Sequence, residues 1–318
     1  MKESVALFDT NVYRNIGSNK TIDETLREME GIQKLESQKN IKACGLLVVG
    51  MELLGNLSDG PGSLPYNECL HGLIAMAHHC YENTRNDINV AAHSYPQLCQ
   101  SFFKVIPDTY DLQSKNLGGT IADFKKDYPK ALSYHHQNGN FQAIKSYIEK
   151  EEKAFSQRIT DFIEMAKLEI LNAKPNLKKG ALRTELLHYI QNGPYNSILG
   201  RIIIQAIAFS LNIQLSEEEI ISKANALSTE LPLSTGFLKW ISYKIVNNKI
   251  DMQSKHSKHE RWNWQWDYEA TFLISKHTLA GKEPVLVTED EDIRQVLRDY
   301  GYSTRVFKLQ EYLSFLRT

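Results

Sequence analysis

The sequence predicts an α/β fold in which a small parallel sheet is flanked by helices in three layers, with a large all-helical insertion. Three observations carry that expectation. Val5-Ala6-Leu7-Phe8 and Val285-Leu286-Val287 are short apolar runs of the kind buried in parallel strands, and they lie near opposite ends of the chain. Between about Leu64 and Lys255, apolar residues recur at helical spacing with few strand signals. From Tyr268 onward, short helices and strands alternate again.

Residues 4–8 read as the first strand. The polar stretch from Asn15 to Lys39 carries Ile22, Leu26, Met29, Ile32 and Leu35 at helical spacing, and Ile41 to Cys44 is short enough for a second strand. Leu46 to Leu54 reads as a mostly buried helix whose only charge is Glu52. Asp59-Gly60-Pro61-Gly62-Ser63 marks a turn. Helices are expected over Phe141–Leu171, Leu182–Tyr189, Ile198–Leu211, Glu217–Leu227 and Thr235–Ile250, with breaks at Asn172–Asn176 and Asn192-Gly193-Pro194. Ala270 to Leu279 reads as a helix, Val285 to Val287 as a strand, Ile293 to Tyr300 as a helix, Thr304 to Lys308 as a strand and Leu309 to Leu316 as a helix. The expected organisation is a core made of residues 1–63 and 262–318, interrupted by a helical domain over 64–261.

Bulk properties narrow the function classes. The chain has 318 residues, a net charge of −1 and an ordinary apolar content of 42%. A protein that grips nucleic acid through phosphate neutralisation alone is usually basic, so such binding here must rest on a local patch or on bound cations. No run approaches the ~20 apolar residues needed to span a bilayer. Met1-Lys2-Glu3 leads into a strand rather than a signal peptide, so a cytoplasmic protein without membrane partners is expected. Cys69, His71, His78, His79 and Cys80 crowd together, but Leu70, Leu73, Ile74 and Ala77 form an apolar stripe that accounts for the segment without zinc. Neither GxxxxGK[ST] nor GxGxxG occurs, which disfavours a small-molecule phosphohydrolase.

Carboxylates supply the chemistry. Asp9 follows the first strand, Asp290 and Asp292 follow the late strand, Glu52 lies on a buried helix, and Asp267 sits near the start of another. Ligands bind beyond the carboxyl ends of strands in open α/β sheets. Converging acids repel one another unless cations sit among them, and magnesium or manganese takes oxygen ligands. One or two such ions could activate water and stabilise the leaving oxygen of a phosphodiester. Each acid also has a plainer reading: Asp9, Asp267 and Asp290 as helix caps, and Asp292 as a first-turn complement to a helix dipole. Lys255, Lys258 and Arg261, interleaved with Trp262, Trp264 and Trp266, suit single-stranded nucleic acid. Alternatively the tryptophans dock the insertion on the core along one side of an extended segment.

Asp9-Thr10-Asn11-Val12 after a strand, Glu52-Leu53-Leu54 on a helix, Asp267 opening a helix, and Val287-Thr288-Glu289-Asp290-Glu291-Asp292 after a strand resemble, in that order, the motifs of PIN domains. The final strand Arg305-Val306-Phe307 and helix Leu309–Leu313 extend the resemblance, which covers roughly 1–60 and 265–318. It implies a Rossmann-like three-layer nuclease core, dependent on magnesium or manganese and usually an endoribonuclease. The metal-binding acids would be Asp9, Glu52, Asp267 and Asp290, with Asp292 auxiliary and Thr10, Asn11 and Thr288 as polar supports. Glu289 stands where the family usually has an uncharged polar residue, and the long helical segment has no counterpart in the minimal domain. The expected substrate is RNA, with single-stranded DNA as an alternative. The helical region could hold a protein partner or a second copy, and a catalytically silent interaction module is the rival reading. Toxin, defence and RNA-processing roles are all compatible with the sequence.

Overall fold

The computed structural model describes residues 4–63, 65–82, 86–178, 180–275 and 281–318. In chain order the elements begin with β1 (Ser4–Phe8), α1 (Thr10–Gly17), α2 (Ile22–Gln38), β2 (Ile41–Ala43), β3 (Gly45–Leu46), α3 (Leu47–Asn56) and α4 (Tyr66–His79). β4 (Tyr81–Glu82), β5 (Asp87–Ile88), β6 (Val90–Ala91), α5 (Ser94–Phe103), α6 (Asp108–Gln137) and α7 (Asn140–Ala173) follow. Next come α8 (Leu182–Asn192), α9 (Tyr195–Ser210), α10 (Glu217–Glu230), α11 (Pro232–Asn248), α12 (Lys255–Glu260) and α13 (Trp264–Phe272). β7 (Glu283–Val287), α14 (Glu291–Asp299), β8 (Val306–Phe307) and α15 (Leu309–Arg317) close the chain.

The chain divides into two compact units, Met1–Glu149 with His277–Thr318, and Lys150–Lys276. The first holds a small parallel sheet flanked by helices, with strand order β2-β1-β7-β8. β1 and β7 pair in register from Ser4 opposite Glu283 to Phe8 opposite Val287. Val5, Ala6, Leu7 and Phe8 are all buried, as are Val285, Leu286 and Val287, because helices cover the central strands. α1 and α4 cross closely: a Cβ on Gly17 would come within 2.4 Å of His71 Cβ, so only glycine fits there.

A buried polar chain ties these helices together. Tyr312 donates to Glu36 Oε1 at 2.8 Å, Glu36 Oε2 lies 2.9 Å from His79 Nε2, and Tyr13 Oη lies 2.9 Å from His79 Nδ1. Burial alone would disfavour the charged imidazole, but the Glu36 carboxylate outweighs it and pushes His79 up to about 10. His78, by contrast, is pushed down to about 4 by burial and then by Lys125. His79 thus pairs with Glu36, and Cys69 and Cys80 are buried in the core.

The second unit is helical throughout its described residues, α8 to α13 with α7 from Lys150. Trp262, Trp264 and Trp266 are its core: Trp262 Nε1 donates to Met252 O at 2.7 Å, Trp266 Nε1 donates to Glu152 Oε1 at 2.9 Å, and the Trp264 ring meets Trp240 edge-on at 6.2 Å. These contacts hold the unit to itself. The segment is also helical, with α13 starting at Trp264, rather than extended.

Three expectations need correction. The division at 63 and 262 moves to 149 and 277, because α4 packs on α1, α2 and α3, and because the tryptophan segment packs with α7 and α11. The segment 64–261 is not all helical: β6 pairs with β3, Val90 opposite Gly45, and β4 pairs with β5. Two-residue strands are too short to leave an alternating pattern. The expected helix to Leu279 ends in the described residues at Phe272, and 276–280, like Met1-Lys2-Glu3, Leu64 and Lys179, lie outside them. No helix among the described residues is long and apolar enough to cross a membrane.

Candidate active site

At the carboxyl ends of β1 and β7 the sheet hands two carboxylates to two helix starts. Asp9 N donates to Val287 O at 3.0 Å, which extends the strand pairing by one residue and sets Asp9 beside Thr288. Asp9 caps α1, its Oδ1 accepting from Thr10 N at 2.7 Å. Asp290 caps α14, its Oδ1 accepting from Ile293 N at 2.9 Å. Both acids therefore have the cap role that small polar residues favour. The two carboxylates are close enough for Asp290 to act electrostatically on Asp9.

Thr288 joins them. Its buried hydroxyl donates to Asp9 Oδ2 at 2.9 Å and accepts from Asp290 N at 3.1 Å. A hydroxyl has one proton, so this pairing fixes its direction. Thr10 supplies the other link, its hydroxyl donating to Glu52 Oε2 on α3. Asp9, Glu52 and Asp290 thus occupy one neighbourhood of the first unit, connected through Thr10 and Thr288. Asp292 is half-buried in the first turn of α14, and Asn11 is exposed on α1. Glu289, the extra charge at this edge, turns to the start of α15, where Oε1 accepts from Leu309 N at 3.0 Å.

The remaining predicted residues belong to the second unit. Asp267 lies in the first turn of α13 rather than opening it. Lys255 opens α12, Lys258 Nζ lies 5.9 Å from the Trp262 ring, and Arg261 Nη1 lies 3.4 Å from Ser257 Oγ.

The electrostatics at the strand ends favour cations. Burial, with a smaller contribution from Asp290, pushes the Asp9 carboxyl from 3.8 up to about 6, against the hydrogen bonds from Thr288 and Thr10. Nearby, Cys69 is pushed up to about 11 by burial first, then by Glu52 and Glu68 against Arg14. Arg14 is itself held by Glu68 Oε2 at 2.5 Å. The hard oxygen donors of Asp9, Asp290 and Glu52 are of the type magnesium and manganese take. Among the described residues no three potential ligand side chains stand at metal-ligand spacing.

Two features go beyond the sequence expectations. One is the buried face of α1, which the cap reading of Asp9 anticipated only as a helix start: its eight residues bury Val12, Tyr13 and Ile16. The other is a cavity of about 760 Å³ beside α3, lined by Met51 and by residues of α6 and α7. The sequence signal for it was Pro129, which interrupts a helical pattern and bends α6 at Asp127.

No protein-family model, curated protein or solved structure matches this chain.

Proposed function

We propose that the first unit is a PIN-like, magnesium- or manganese-dependent nuclease that hydrolyses phosphodiester bonds of RNA. The observation that carries this reading is the Thr288 bridge, whose hydroxyl holds the Asp9 carboxylate and accepts from the Asp290 backbone N–H, so that the residues ending two neighbouring strands from opposite parts of the chain are tied together. Asp9 and Asp290 would hold the cation, Glu52 would take the second position or a bridging water, and Asp292 would be auxiliary. A cation so held supplies an acidified water and neutralises charge at the leaving oxygen.

The residues of the chain do the rest. Thr288 holds Asp9 Oδ2 in direction, and Thr10 holds Glu52, so neither carboxylate rotates freely. Asp9 loses its proton above about pH 6, which keeps it ionised and able to ligate at neutral pH. The negative surroundings repel a bare phosphate, so a substrate can approach only once cations are bound.

The test is incubation of the protein and its Asp9→Asn variant with total RNA and with single-stranded DNA, in manganese or in chelator. Cleavage of RNA by the wild type in manganese alone is expected. Equal cleavage by the variant, or cleavage that survives chelation, would overturn the site. Silence toward every substrate would favour a non-catalytic interaction protein, and cleavage of DNA alone would reassign the substrate.

A further inference from the structure

The cavity beside α3 is built from helical faces. α6 presents Asn116, the adjacent pair Gly119 and Thr120, and Asp123, which recur one helical turn apart. The bend at Asp127 brings the last turns of α6 back beside the turn before the bend, so that His135 meets Asp123: Nε2 lies 3.2 Å from Asp123 Oδ2. The Asn140 amide nitrogen lies 2.8 Å from His135 Nδ1, so both ring nitrogens are engaged and this buried histidine is a fixed wall. Tyr134 stands edge-on to His135 with centroids 5.1 Å apart. Tyr134 and Tyr147 line the cavity while remaining 59% and 36% exposed, which is unusual for large aromatic rings beside an available interior. Lys115 adds a cation to the same wall.

We infer that this cavity takes one nucleotide of a single-stranded nucleic acid, its base against the exposed tyrosines and its polar edge toward the Asn116–Thr120–Asp123 face of α6. The volume exceeds what a single planar base with its sugar needs. The lining combines ring faces with amide, hydroxyl and carboxylate groups, the chemistry by which single-stranded bases are stacked and read at their edges. A base within a duplex cannot enter such a recess without leaving its stack. Met51, on the cavity wall, immediately precedes Glu52 on α3, so the cavity and one of the acids share a helix but not a face of it. The inference rests on the nucleic-acid reading above and extends it to the group that is gripped.

Binding can be tested apart from cleavage. A short fluorescein-labelled single-stranded RNA is titrated in chelator, with fluorescence anisotropy as the readout, against the wild type, Gly119→Leu and Tyr134→Ala. A Cβ at Gly119 meets nothing within 4 Å, so leucine enters open space and also favours the helix. Exposed Tyr134 tolerates truncation. Each variant should keep the wild-type melting temperature and weaken binding by about tenfold, the scale of one lost base stack. The same loss is expected with single-stranded DNA, whereas duplex RNA should bind weakly and alike to all three proteins. Unchanged affinity in both variants, no binding by the wild type, or equal affinity for duplex would overturn the inference. Manganese-dependent cleavage with unaltered variant binding would remove the cavity reading and leave the nuclease standing. Lost binding in the variants without any cleavage would do the reverse.

Discussion

Replacing Asp9 by asparagine should make the metal-free protein more stable while removing its proposed function. The folded state raises the Asp9 carboxyl from 3.8 to about 6. At 1.36 kcal/mol per pH unit, ionised Asp9 therefore destabilises the fold by about 3 kcal/mol at neutral pH. Asparagine removes that charge and remains a good cap for α1. It does not accept from Thr288 as the carboxylate does, and the lost hydrogen bond costs about 1 kcal/mol. The net expectation is a gain of about 2 kcal/mol at neutral pH. Because the folded state binds the Asp9 proton more tightly than the unfolded state, wild-type stability from this group falls as pH rises from 3.8 to about 6. The gap between the two proteins should thus be widest above pH 6 and, below pH 4, reverse to about 1 kcal/mol in favour of the wild type, where only the lost hydrogen bond remains. Urea unfolding in chelator across that range measures it. Saturating manganese should then stabilise the wild type and leave Asp9→Asn unmoved. A gap of equal size at acid and neutral pH, or a variant less stable than the wild type at neutral pH, would refute the reasoning.

Thr288→Val keeps the shape of a buried side chain but removes the bridge between Asp9 and Asp290; a hydrogen bond to a charged group is worth about 1.5–3 kcal/mol, so manganese-dependent turnover should fall by about ten- to a hundredfold. Glu36→Ala leaves the buried His79 without its partner and should lower unfolding free energy by about 3–5 kcal/mol. Since Glu36 raises His79 from 6.5 to about 10, that contribution is complete below 6.5 and is lost as pH rises through 10, which urea midpoints across the range will show. Gly17→Ala forces the α1–α4 crossing apart at a 2.4 Å contact and should cost about 1–3 kcal/mol by thermal unfolding.

The parts of the fold that were legible in the sequence are those with local grammar. β1 and β7 announced themselves as unbroken apolar runs, and the polar residues just after each strand are the ones that meet through Thr288. α7, α9 and α10 followed from long periodic stretches, although their ends shifted by a few residues. Only the start of α1 was legible, in Asp9 as a cap; its buried face was missed because two turns give too few repeats of the apolar spacing, and its short polar neighbours mask Val12, Tyr13 and Ile16. The unit boundary escaped because Glu149 and Lys150 lie inside the continuous helix α7, where no change in composition marks it. Glu289 read as excess charge at the site, and only the spatial approach of α15 showed a helix start for it to serve. The cavity depends on Asp123, His135 and Asn140 meeting across a bend, a relation that spacing along one helix does not encode.

The pairing of β1 with β7 has a consequence for how the protein comes into being. β1 finds its central neighbour β7 only after some 275 intervening residues have been made. Closing a loop that long costs only about 0.6 kcal/mol more than closing one half its length, so the final state tolerates the detour. The order of events does not escape it, since such distant contacts form late. Until β7 arrives, one side of β1 is an open edge and Asp9 has neither Thr288 to orient it nor Asp290 beside it. A chain cut short before β7 therefore lacks the Asp9–Thr288–Asp290 arrangement altogether, because its topology makes that arrangement depend on the distant strand.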